Sequence, residues 1–132
     1  MYDPNTLSDG WTQGFDAAKE GSRLAQAPRH SRKVGAALYA GRRLLSIGFN
    51  SYGQSHPRNP KGYSIHAEHR ALLRRQHYAP HNRLIMYIWR ETADGNPAHS
   101  EPCKRCKELM QEAGVGVIRF INASGAASEQ RI

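Results

Sequence analysis

The chain has 132 residues, of which 39% are hydrophobic and 8% aromatic, and its formal net charge at pH 7 is +8. This length is near the commonest size of a single domain, so we expect one domain over residues 1–132. No apolar run approaches the length of a transmembrane helix, and the first residues lack the basic and apolar segments of a secretory signal. Of the 19 Lys and Arg residues, 14 are Arg, which suits bidentate contacts to phosphate and indicates an anionic partner.

The amphipathic and apolar segments predict an alternation of helices and strands. The first helix has Trp11, Phe15, Ala18 and Leu24 on one face, with Asp9 as its N-cap and Pro28 as its stop. The predicted elements in chain order are helix 11–27, strands 34–40 and 43–49, helix 66–77, strand 84–89, helix 103–113 and strand 115–121.

The order of these elements predicts the fold class. Strand, helix and strand alternate after residue 66, which favours parallel pairing through right-handed crossovers. We therefore expect an α/β protein, a three-layer α/β/α sandwich with a mixed central sheet. The Ala/Ser/Gly-rich tail leaves one question open, because a short strand near 128–132 or a partner chain could complete the sheet.

Two cysteines, Cys103 and Cys106, are the only ones in the chain. A disulfide that closes so short a loop stabilises little. We therefore expect a reduced, cytoplasmic protein whose thiols bind a metal or take part in chemistry. A redox dithiol is the alternative, but it has no use for the motif described next.

Two short motifs lie at the starts of predicted helices: His66-Ala67-Glu68, and Pro102-Cys103 followed by Cys106. One imidazole and two thiolates suit Zn²⁺, and three protein ligands leave a fourth position open for water, as in catalytic zinc sites. Neighbouring crossovers would place the two helix N-termini side by side at one edge of the sheet. Glu68 is not needed as a ligand, and a carboxylate beside the zinc-bound water can act in general acid–base catalysis.

These residues resemble the signature of the zinc-dependent cytidine/deoxycytidylate deaminase superfamily, H-x-E followed by P-C-x-x-C. The two motifs are separated by residues 69–101, and the predicted element order over about 12–122 also matches the family core. The resemblance implies a cytidine deaminase-like fold with zinc held by His66, Cys103 and Cys106. It further implies that activated water attacks the amine-bearing carbon of the base while Glu68 moves the protons.

The resemblance also implies substrate contacts. The Ala67 backbone N–H would meet the carbonyl oxygen of the base, Asn50 would lie near the sugar, and the main chain at Ser100 would face the departing amine. Other candidates for substrate binding lie in loops, where a solvated surface is the alternative: Arg29, Arg32, Lys33, Arg58, Lys61 and Tyr63. The Arg-rich outer side of the second helix is expected to be solvated or to form an interface in a homo-oligomer.

We therefore expect a zinc-dependent hydrolytic deaminase that acts on cytosine in a nucleotide, with deoxycytidylate as the first choice. One alternative keeps this chemistry but takes cytosine or adenine in single-stranded DNA or RNA as its substrate. A second alternative is a catalytically idle, zinc-stabilised nucleic-acid-binding module, against which the intact Glu68 argues. No membrane partner is expected.

Overall fold

The computed structural model describes residues 2–24, 33–50, 66–74, 84–92 and 94–132. A short 3₁₀ helix, Pro4–Thr6, precedes the main elements. These are α1 (Asp9–Leu24), β1 (Lys33–Ala40), β2 (Arg43–Phe49), α2 (Ala67–Arg74), β3 (Leu84–Glu91), α3 (Lys104–Glu112), β4 (Val115–Ile121) and β5 (Ala127–Arg131).

The five strands form one mixed sheet in the order β2-β1-β3-β4-β5. β3 and β4 are parallel, as the crossover through α3 requires, and the other neighbouring pairs are antiparallel. β1 and β2 are joined by a tight turn at Gly41, whose φ of 59° suits such a turn. The mixed sheet is therefore confirmed.

Helices cover both faces of this sheet. On one face, Phe15 and Ala18 of α1 pack against Tyr87 and Trp89 of β3. On the other face, buried side chains of α2 and α3 pack against alternate residues of the same strands, among them Ala71, Met110, Met86 and Ile118. The two cores confirm the three-layer α/β/α sandwich. Among the helices that the structure describes, none is long and apolar enough to cross a membrane.

The first helix differs from its prediction at its N-terminal end. It starts at Asp9 itself, and the Thr12 amide donates to the Ser8 carbonyl, so Ser8 precedes the first turn in place of the predicted cap Asp9. Leu24, predicted on the inner face, is 58% exposed. Residues 25–27 and 75–77, at the predicted ends of the first two helices, lie outside the described residues.

The open question about the tail is answered by the chain itself. β5 pairs antiparallel with β4, from Ile121 opposite Ala127 to Val117 opposite Arg131. The turn between them is held by the Asn122 side chain, which accepts from the amides of Ser124 and Ala126. The chain therefore supplies its own fifth strand.

Candidate active site

The N-terminus of α2 is placed by an unusually close contact with β2. A Cβ atom on Gly48 would lie 2.2 Å from the Ala67 carbonyl oxygen and 2.4 Å from the Ala71 amide nitrogen. Only glycine permits this approach. The Ser46 hydroxyl donates to the Ala71 carbonyl at 2.7 Å, which ties the same turn of the helix to the strand. His66 immediately precedes α2, so the backbone of β2 determines where His66 and Glu68 lie.

The N-terminus of α3 is placed by Ser100, which is buried across the ends of β3 and β4. Its hydroxyl donates to the Ile88 carbonyl and accepts from the Ile121 amide, both at 2.8 Å. Its own amide donates to the Ile121 carbonyl, also at 2.8 Å. Because Cys103 follows three residues later as the N-cap of α3, these bonds position the cysteine motif beside the sheet edge.

The two helix starts bring the three predicted zinc ligands together. The ligand atoms of His66, Cys103 and Cys106 all lie within 4.8 Å of one another. His66 Nδ1 is 3.2 Å from Cys106 Sγ and 3.9 Å from Cys103 Sγ. A nitrogen and a sulfur ligand of one tetrahedral zinc ion lie about 3.6 Å apart, since their bonds to the ion measure about 2.1 and 2.3 Å. The spacing therefore fits zinc.

The electrostatics of the cluster also fit a cation. Burial raises the pKa of the Cys106 thiol, and the neighbouring Glu68 carboxylate raises it further. Burial likewise raises the pKa of Glu68, against the opposing effects of its hydrogen bond with Cys106 and the nearby His66. The Cys106 thiol and the Glu68 carboxyl lie close together, so each disfavours the ionised form of the other. A divalent cation bound to Cys106 would instead favour the thiolate.

The cluster opens into a cleft of about 440 Å³. Cys106 is buried behind it, whereas His66 and Cys103 are exposed, which leaves one side of the ligand set accessible. The cleft is lined by Val34, Asn50, His66, Ala67, Glu68, Arg90, His99, Ser100, Glu101, Pro102 and Cys103.

The comparisons with known proteins agree with this site. Residues 12–122 match the family model for the cytidine and deoxycytidylate deaminase zinc-binding region. The chain belongs to this family. The match and the ligand cluster together confirm zinc as the cofactor. No curated protein matches the chain in sequence.

Solved structures of deaminases share the fold. The cytidine deaminase from Burkholderia pseudomallei is 24% identical, with 95% of this chain and 93% of that chain covered and a TM-score of 0.66. The dCMP deaminase from the cyanophage S-TIM5, in its apo form, is 19% identical, with 90% and 87% covered and a TM-score of 0.65. The cytidine deaminase from Mycobacterium leprae is 22% identical, with 92% and 94% covered and a TM-score of 0.60.

Within this deaminase fold, most of the motif-based candidates come together. Asn50, Ala67, Glu68 and Ser100 line the same cleft as the exposed zinc ligands. Asn50 is buried, and its Oδ1 accepts from the Val34 amide at 2.8 Å, which fixes its side-chain amide in the wall. Glu68 is only 4% exposed.

One loop candidate, Lys33, lies among the described residues and does not line the cleft. Lys33 is exposed as the first residue of β1, and because its neighbour Val34 lines the cleft, the Lys33 side chain points to the opposite face of the sheet. The other loop candidates lie outside the described residues: Arg29, Arg32, Arg58, Lys61 and Tyr63.

Arg90 and His99 also line the cleft, although the sequence did not predict them there. Arg90 follows the apolar run of the central strand by one residue, and His99 lies in the segment that returns from the end of β3. Strand alternation could have identified Arg90, because it shares a face with Met86 and Ile88 of the core beneath α2 and α3. No sequence signal distinguishes His99 from its polar neighbours.

Proposed function

We propose that the protein is a zinc-dependent hydrolytic deaminase that acts on cytosine in a nucleotide, with deoxycytidylate as its preferred substrate. The reaction replaces the C4 amino group of the base with an oxygen from water and releases ammonia and the uracil nucleotide. The observation that carries the proposal is the buried carboxyl of Glu68 in the wall of a cleft that ends at three zinc ligands.

Glu68 is suited to move the protons of this reaction. When bound, zinc supplies Lewis-acid activation, which lowers the pKa of water toward neutrality. Glu68 accepts the first proton from water and delivers it to the ring nitrogen. It then accepts the second water proton from the new hydroxyl on C4 and delivers it to the amine, which leaves as ammonia when the C4–N bond breaks. Because burial raises the pKa of Glu68, the carboxyl gives up a proton less readily than an exposed one, which suits a group that alternates between base and acid.

Other residues of the cleft orient the nucleotide. The Ala67 amide, at the N-terminus of α2, donates to the carbonyl oxygen of the base. Asn50 is held in the wall by its bond to Val34 and contacts the sugar. The main chain at Ser100, anchored between β3 and β4, faces the amine as it leaves. Each group is therefore part of a helix or hydrogen-bonded to a strand, which favours a bound geometry close to that of the reaction.

A small nucleotide is supported by the dimensions of the site and by its structural neighbours. The cleft of about 440 Å³ lies within the range of small-molecule sites. The neighbouring structures are cytidine and dCMP deaminases. A purely structural zinc site has no need of a buried carboxylate, which is costly to desolvate, so Glu68 disfavours the idle binding module.

A substrate panel tests the proposal. Zinc-loaded protein is offered cytidine, deoxycytidine, their 5′-monophosphates, adenosine, and single-stranded DNA and RNA, while ammonia and the changed base are measured. Highest kcat/KM on deoxycytidine 5′-monophosphate supports the proposal. Highest activity on single-stranded DNA or RNA would instead identify a polynucleotide deaminase. If the zinc-loaded protein turns over none of these substrates, the idle nucleic-acid-binding module is the better description.

A further inference from the structure

Arg90 occupies a distinctive position in the cleft. It is half-buried near the carboxyl end of β3 and is the one Lys or Arg side chain among the described residues that line the cleft. It lies directly opposite Val34 in the register of β1 and β3. The Val34 amide is the group that holds Asn50, so Arg90 and Asn50 are neighbours of the same residue.

The Arg90 side chain is oriented before any ligand binds. Its Nη1 donates to the His99 carbonyl at 3.2 Å, and its own carbonyl accepts from the Ala98 amide at 2.8 Å. This contact to a main-chain carbonyl holds the side chain in the wall of the cleft. Holding the side chain in advance lowers the entropic cost of binding an anion.

The acidic residue in the same wall has a cation of its own. Glu101 Oε2 lies 2.8 Å from Lys107 Nζ, and Glu101 Oε1 lies 3.8 Å from His99 Nε2. The charge of Glu101 is therefore balanced locally, and this wall of the cleft does not exclude an anionic ligand.

We propose that Arg90 binds the 5′-phosphate of the nucleotide and so determines the preference for a nucleotide over a nucleoside. This inference rests on the proposed function. A guanidinium has five donors and no acceptor, so it selects groups rich in acceptors, and it binds phosphate bidentately. If Asn50 contacts the sugar, Arg90 beside it is placed to reach the 5′-phosphate that the sugar carries.

The test compares Arg90→Gln and Arg90→Lys with the matched control Arg74→Gln. Arg74 is exposed on α2, and its Nη1 also donates to a main-chain carbonyl, that of Ile47, at 3.5 Å. Calorimetry measures the binding of deoxyuridine and of its 5′-monophosphate to each zinc-loaded protein, because these products are not consumed. Turnover of deoxycytidine and its 5′-monophosphate is measured in parallel, and thermal unfolding checks that each variant is folded.

We expect wild type to bind the monophosphate more tightly than the nucleoside. Arg90→Gln should lose about 10- to 100-fold in monophosphate affinity, the usual worth of a charge-assisted hydrogen-bonded pair, with nucleoside affinity nearly unchanged. Arg90→Lys keeps the charge but not the planar fork, so its loss should be smaller. Arg74→Gln should match wild type.

Three results would overturn the inference. If wild type binds deoxyuridine and its 5′-monophosphate equally tightly, the protein has no phosphate site to explain. If Arg90→Gln loses affinity equally for both products, Arg90 only positions the 97–101 segment. If Arg90→Gln loses affinity for a one-cytosine oligonucleotide and not for the monophosphate, the ligand is a strand phosphodiester. Failure of the proposed function looks different, because it abolishes ammonia release while Arg90-dependent binding of the monophosphate persists.

Discussion

Replacing Gly48 with alanine perturbs the contact that places α2 against the sheet. The added Cβ would lie 2.2 Å from the Ala67 carbonyl oxygen, whereas ordinary contacts measure 3.4–4 Å. The Cβ would also lie 2.4 Å from the Ala71 amide nitrogen. Both of these atoms belong to the backbone, so no side-chain rotation relieves the clash. The start of α2 must therefore recede by about 1 Å, carrying His66 and Glu68 with it.

A displacement of this size matters most at the zinc ligands. Distances between a metal and its ligands tolerate errors of only about 0.2 Å, and α3 would still hold Cys103 and Cys106 in place. We expect zinc affinity to fall by about 10- to 100-fold and the free energy of unfolding to fall by about 1–3 kcal/mol. Competition with a chelator of known affinity measures the first, and denaturant unfolding the second.

Gly116→Ala is the matched control. Gly116 also lies in a strand of the sheet, β4, but a Cβ there would meet nothing within 4 Å. The control should bind zinc like wild type and unfold at nearly the same denaturant concentration. Wild-type zinc affinity in Gly48→Ala would refute the reasoning that β2 positions the histidine ligand.

Three further changes test other parts of the structure. Cys103→Ser removes an exposed zinc ligand, so the zinc content by metal analysis should fall well below that of wild type, and the midpoint of thermal unfolding should drop. Full retention of zinc would show that Cys103 is not a ligand. Ser100→Ala leaves a buried carbonyl and a buried amide without their hydroxyl partner, so unfolding free energy should fall by about 1–3 kcal/mol, whereas the exposed Ser124→Ala should change little. Burial raises the pKa of Tyr39 above 10.0, with smaller effects from Tyr87 and Asp16. The neutral phenol therefore stabilises the fold below about pH 10 and loses that contribution as the pH rises further. Tyr39→Phe should therefore make the unfolding free energy fall less steeply above about pH 10.

The chemistry of the site could be predicted from the sequence because it depends on few residue types. One histidine, two cysteines and one glutamate at fixed spacings predict zinc, and the apolar runs predict the strands that bring them together. The close approach of Gly48 to α2 could not be predicted, because it depends on the packing of two segments distant in sequence.

Errors and omissions arose where local patterns were weak. Asp9 was expected to precede the first helix, yet the chain is already helical there. The polar tail gave no clear signal for β5, which forms because β4 offers an unpaired edge. Arg90 was missed because it follows the apolar run, although strand alternation continues through it and directs it to the cleft.

The most direct measurement of the central claim is ammonia release from deoxycytidine 5′-monophosphate by zinc-loaded wild type and Glu68→Gln. The variant keeps the size of the side chain and removes the group that transfers protons. We predict that kcat falls by about 10²- to 10⁴-fold while zinc content equals that of wild type. Turnover retained by Glu68→Gln, or no ammonia from wild-type protein that holds its zinc, would contradict the account.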